Sequence, residues 1–114
     1  NSFNNLLNNW NVCNVRDLES MFFKAKSFNQ SLNNWDVSNV TNMTEMFSFA
    51  ISFNQPLNSW NVSNIESMRR MFSSAYLFNQ SLNAWDVNNV TVMERIFYGT
   101  SLNEAPNWYK KKYQ

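Results

Sequence analysis

The chain has 114 residues, 44% apolar and 17% aromatic, with a net charge of +1 at pH 7. That is one domain's worth of core, with no global field to select nucleic acid or an acidic partner. One cysteine, no histidine, one glycine and two prolines argue against Ser-His-Asp or Cys-His catalysis, histidine or multi-cysteine metal sites, an internal disulfide and glycine-rich turn folds.

Read from the first residue, the chain repeats. Phe3, Phe28, Phe53 and Phe78 open four units spaced by 25 residues. Leu7, Leu32, Leu57 and Leu82 follow at the same step. So do Trp10, Trp35, Trp60 and Trp85, then Val12, Val37, Val62 and Val87, then Phe22, Phe47, Phe72 and Phe97. Chance does not hold five such columns in phase over four copies. The solenoid is assigned to residues 1–102, and residues 103–114 to a decayed repeat or a C-terminal cap or tail. Leu102 and Asn103 echo Phe78 and Asn79 with a one-residue slip, and Trp108 stands near the next tryptophan position.

Within a unit, Trp35 and Val37 alternate with Asn34, Asp36 and Ser38, which predicts a short strand. Asn39 then precedes Val40, Met43, Met46, Phe47 and Ala50, at i, i+3, i+6, i+7 and i+10. That spacing predicts one face of a helix, with Asn39 as its N-cap and Asn14, Asn64 and Asn89 in the same role. Ser52 to Gln55 return the chain to the next strand. With one glycine available, the asparagines, roughly a fifth of the chain, are expected to serve the turns by bonding backbone groups and tolerating unusual backbone angles. A unit of this size cannot bury a core alone, so the units stack. The expected fold is α/β: a right-handed solenoid with a short parallel strand plus a helix per repeat, the sheet on one side and the helices on the other.

The string from Phe28 to Met43, followed by Met46 and Phe47, resembles the FNQ-L-WDVSNVTNM-MF repeat of bacterial surface proteins. That repeat of about 25 or 26 residues is often grouped with the BspA-type leucine-rich-repeat surface proteins. The resemblance runs from Phe3 to about Asn103. The first unit departs from it at Leu6 and Cys13, which stand where the second unit has Ser31 and Ser38. It implies a leucine-rich-repeat-like solenoid on a bacterial cell surface or secreted, often in a lipoprotein. The roles it implies are adhesion, protein binding and antigenic variation, with no catalytic residues and no cofactor.

The tryptophan, phenylalanine and methionine columns read as core rather than as an aromatic binding platform. Function is expected on the outward strand positions: Asn34, Asp36, Ser38, Ser59, Asn61, Ser63, Asp86 and Asn88. Stacked strands would turn these into polar ladders, with acid and amide alternating at residues 36, 61 and 86. Two carboxylates on a flat face fall short of a calcium site, and no metal site is expected. The helix exteriors vary most between units, as in Arg16, Thr41, Glu66 and Thr91. Cys13 reads as a substituted polar residue. The Asn-x-Ser/Thr strings at Asn29, Asn39, Asn42, Asn61, Asn79 and Asn89 read as by-products of the repeat. Trp108 to Tyr113 could touch nucleic acid or anionic lipid, yet a cap or solvated tail is the expected role, so no nucleic acid is expected as a partner.

Two functions follow. The first is an adhesin-like protein-interaction module for a host extracellular or cell-surface protein, its parent anchored to the membrane by lipid. The alternative is a structural spacer or antigenic display array without a dedicated ligand. Ends that expose strand edges could also join chains end to end. No apolar run approaches the ~18 residues of a membrane span, and no stretch reads as a signal peptide. A start at Asn1 rather than methionine points to a processed chain or an excised piece.

Overall fold

The computed structural model describes residue 7 and residues 10–113. Phe3, Leu6, Asn8 and Asn9 lie outside the described residues, as do the side chains of Lys111, Lys112 and Tyr113. Each 25-residue unit forms one coil, and the coils stack. They are built from turns rather than from a strand and a helix. Among the described residues the one helix is α1, Asn107–Tyr113. Among the same residues, pairing of strand type is confined to isolated parallel bridges, Asp17 to Asn42, Asn42 to Ser67 and Ser67 to Val92.

This overturns the α/β solenoid with a strand plus helix per repeat. Residues 43–50, expected to be helical, show why. The amides of Met43, Glu45, Phe47 and Phe49 donate to the carbonyls of Ser67, Arg69, Met71 and Ser73 in the next coil, at 2.8–2.9 Å. The amides of Met46, Ser48 and Ala50 donate three residues back, to Met43, Glu45 and Phe47. The Thr44 amide is bonded to Asn42 Oδ1 at 2.9 Å. Every amide in the run is therefore satisfied without one i−4 bond. Turns closed by i−3 bonds bring the chain back to the same side about every third residue, so they bury the same positions as a helix does. Apolar spacing alone does not separate the two.

The alternation at Trp35 and Val37 is real. Both side chains are buried, Asn34 and Asp36 are exposed, and Ser38 is half-buried. The backbone there is nonetheless turned, and the parallel bridges fall at Asn42, seven residues on. The link between coils at this level is a side chain. Trp35 Nε1 donates to the Leu7 carbonyl at 2.8 Å, and Trp60 and Trp85 donate to those of Leu32 and Leu57 at 2.9 Å.

The asparagines expected to be N-caps head no helix. Asn39, Asn64 and Asn89 reach back instead to the preceding coil and donate Nδ2 to the carbonyls of Cys13, Ser38 and Ser63, at 2.7–2.8 Å. Nor, among the described residues, do asparagines take the left-handed angles. Those belong to Ser20, Lys24, Glu45, Phe49, Arg70, Ser74 and Arg95, with φ between 53° and 61°, and to Gly99 at 76°. Asparagine's contribution is bonding: Asn29 and Asn54 each accept, on Oδ1, the amide of the asparagine one coil on, at 2.9 Å.

The core is a set of ring columns. Phe22, Phe47 and Phe72 are fully buried and stack at 5.5 Å, within 9° of parallel. Phe28, Phe53 and Phe78 form a second column at 5.7 and 6.0 Å. Each ring of one column lies 4.2 Å from its neighbour in the other, as in Phe47 and Phe53. Trp60 and Trp85 stack at 6.5 Å, and Trp108 in α1 adds the next ring at the same spacing. Offset parallel rings in a buried column hold one coil in register on the next.

Candidate functional site

The outward positions form a polar column along one corner of the stack, and each unit builds it in the same way. Asp36 Oδ1 accepts the Ser38 amide at 3.0 Å and the Ser38 hydroxyl at 2.6 Å. Asn61 Oδ1 holds Ser63 in the same way, at 3.1 and 2.7 Å. Asp86 Oδ1 accepts the Asn88 amide at 3.0 Å. These are Asx turns, in which a short side chain takes over a backbone amide two residues on. The Ser38 hydroxyl, and after it the Ser38 amide, holds the exposed Asp36 carboxyl below its ordinary value of 3.8.

Six of the predicted site residues, Asp36, Ser38, Asn61, Ser63, Asp86 and Asn88, therefore share one corner, and each of these turns commits one side-chain oxygen to the fold. Ser59, one column away, donates its hydroxyl to the Asn33 carbonyl at 2.8 Å and to Asn33 Oδ1 at 2.7 Å. Asn34 is exposed and also engaged within the chain. The second carboxylate oxygens of Asp36 and Asp86 are left as outward acceptors.

Beside this corner runs a polar groove of about 600 Å3. Asn39, Asn64 and Asn89 line it, with their amide nitrogens already tied to the preceding coil. Arg16, Thr41, Glu66 and Thr91 complete the lining. The last four occupy one column of the repeat, so the groove keeps the same geometry from coil to coil and changes its chemistry from cation to hydroxyl to anion. Their variation is visible in the sequence. Their position in a groove is not, because it depends on turns that the sequence reading took for a helix.

A second exposed feature has no counterpart among the predicted site residues. Phe23, Phe49 and Tyr98 are 38%, 39% and 65% exposed. Phe23 and Phe49 meet edge to face at 6.2 Å. Lys24 Nζ lies 5.2 Å from the Phe23 ring centre, and the Arg95 guanidinium lies 5.9 Å from that of Tyr98. The sequence does carry a signal for it: these aromatics stand outside the repeating apolar columns, at positions where other coils carry Ser48, Ser73, Ser74 and Gly99.

Among the described residues, no group of three acidic or cysteine side chains is placed to hold a metal ion. No helix there is long and apolar enough to cross a membrane. Residues 1–108 match the family described as Mycoplasma protein of unknown function, DUF285. No curated protein and no solved structure matches the chain. The match spans nearly the whole sequence, and the chain belongs to the DUF285 family.

Proposed function

We propose that this DUF285 chain is a protein-interaction module that binds a partner along the polar corner and its adjoining groove. One observation carries the reading. Inward columns repeat the same residue types, whereas the groove column changes from Arg16 to Thr41 to Glu66 to Thr91 on a constant frame. A rigid stack with interchangeable surface chemistry suits recognition, because the partner meets side chains that are already positioned and loses little affinity to ordering them. Catalysis has no part in the proposal. The resemblance to BspA-type surface proteins supports display at a bacterial cell surface, with a host extracellular or cell-surface protein as the partner.

The test is saturable binding of the purified chain to purified extracellular matrix proteins and to intact host cells. It is run beside an Asp36→Lys/Asp86→Lys variant and a Glu66→Lys variant. Binding that either variant abolishes while still folded supports the module. Saturable binding untouched by all three changes would sink the corner and groove as its site.

The second reading is a spacer or antigenic display array. It is favoured by the Asx turns, which already use Oδ1 at Asp36, Asn61 and Asp86. It predicts no saturable binding to any member of the panel.

A further inference from the structure

Seven large apolar side chains are exposed among the described residues, and three of them, Phe23, Phe49 and Tyr98, fall along one ridge that also carries cations. At its centre lies a cavity of about 200 Å3, large enough for one small charged group. Arg70 and Arg95 line it from adjacent coils, with Ser48 and Ser73 in the wall and Phe49 and Tyr98 at its sides. The groove above shares none of these residues.

No carboxylate among the described residues neutralises the two arginines of this cavity. Among the described residues, neither Arg70 nor Arg95 forms an ion pair, and the ion pairs present join Arg69 to Glu94 and Lys110 to Glu104. Glu45 lines the same cavity without bridging to either arginine. The backbone is also held off its preferred angles here. Glu45, Phe49, Arg70, Ser74 and Arg95 all have φ between 53° and 60°, a region that disfavours side chains. Where the same turn holds Gly99, the repeat shows that it accepts glycine. Large charged and aromatic side chains at strained positions point to a use for them.

We infer that this ridge binds an acidic protein segment, seating one carboxylate between Arg70 and Arg95 and laying flanking apolar side chains on Phe23, Phe49 and Tyr98. Guanidinium groups match a carboxylate with paired N–H donors. Aromatic and arginine side chains together form the usual energetic centre of a protein interface. The segment's apolar residues separate it from a simple polyanion, which would leave the exposed rings uncovered. This goes beyond the groove reading and names a partner class for a separate surface.

The test is fluorescence anisotropy with a labelled peptide alternating glutamate and phenylalanine. Matched probes are the same peptide with lysine for glutamate, a single-stranded oligonucleotide and phosphatidylserine vesicles. Saturable binding to the acidic peptide is expected, weakening as salt is raised and falling at least tenfold in Arg70→Glu/Arg95→Glu. Arg70→Gln/Arg95→Gln carries the same test should charge reversal impair folding, and Phe49→Ser should weaken binding without altering its salt dependence. Absence of peptide binding, or binding indifferent to both arginine pairs, would overturn the inference. So would tighter binding to the oligonucleotide or the vesicles.

Discussion

Trp60 donates its indole N–H to the Leu32 carbonyl of the preceding coil at 2.9 Å, and its ring lies parallel to that of Trp85 in the next coil at 6.5 Å. One side chain thus joins three coils, by a hydrogen bond on one side and ring contact on the other. Trp60→Phe keeps an aromatic ring but removes the indole bond, leaving the Leu32 carbonyl with the Trp35 amide alone, and shrinks the contact. The expected loss is about 2–4 kcal/mol, read as a lower urea midpoint at unchanged slope. Trp10, 53% exposed, should tolerate the same change with a much smaller loss. Equal losses at the two positions would argue against the indole ladder.

The left-handed positions give a prediction with opposite signs at two different turns of the repeat. Ser20 has a φ of 59°, where a side chain costs about 1 kcal/mol. Ser20→Gly should stabilise the fold by a few tenths to about 1 kcal/mol, the gain being trimmed by glycine's greater freedom in the unfolded chain. Gly99→Ala should destabilise it by about 1 kcal/mol. Its added Cβ would meet Ser74 Cα at 3.5 Å, an ordinary contact, so the cost comes from φ rather than from collision. Thermal unfolding of the two variants settles the signs.

How far the sequence revealed the fold follows from the same chemistry. Burial was legible: Trp35, Val37, Met43, Phe47 and Ala50 face inward as their phase indicates. The backbone was not. The i, i+3, i+7 phase of Met43, Met46 and Ala50 suits a run of i−3 turns as well as a helix. What decided between them was the neighbouring coil, which offers carbonyls to alternate amides. That offer is a property of the stack, and no 25-residue window contains it. The polar corner at Asp36 and Ser38 was legible as outward. Its internal bonding was not, because an Asx turn and a free carboxylate look alike in sequence. The ridge was signalled only by Phe23, Phe49 and Tyr98 standing outside the repeating apolar columns.

Asp36 yields a pH prediction. Its carboxyl is held below the ordinary value, first by the Ser38 hydroxyl and then by the Ser38 amide. A depressed folded-state value means that the contribution to stability is present above the unfolded-state value. It is lost as pH falls through the folded-state value. Ser38→Ala removes the hydroxyl bond, leaves the amide bond, and should move the Asp36 titration up toward 3.8. Carboxyl-carbon NMR shifts followed against pH read this directly. A titration unmoved by the substitution would show that the hydroxyl is not the cause.

Trp108 tests how the stack ends. The seven residues of α1 fall short of the ~12–15 that a helix needs for marginal stability alone. What holds it is Trp108, stacked on Trp85 at 6.5 Å and donating Nε1 to the Leu82 carbonyl at 2.8 Å, with Tyr109 edge-on to Phe97 at 5.4 Å. Trp108→Ala should release α1 at a cost of about 2–3 kcal/mol, below the full penalty for a buried tryptophan because this one is half-buried. In a stack whose coils contact only their neighbours, the damage should stay local. Amide hydrogen exchange is therefore expected to quicken across residues 107–110 while residues 43–50 keep their protection. Faster exchange throughout would mean that the coils unfold as one cooperative unit, with the Trp108 contact felt as far away as Phe47.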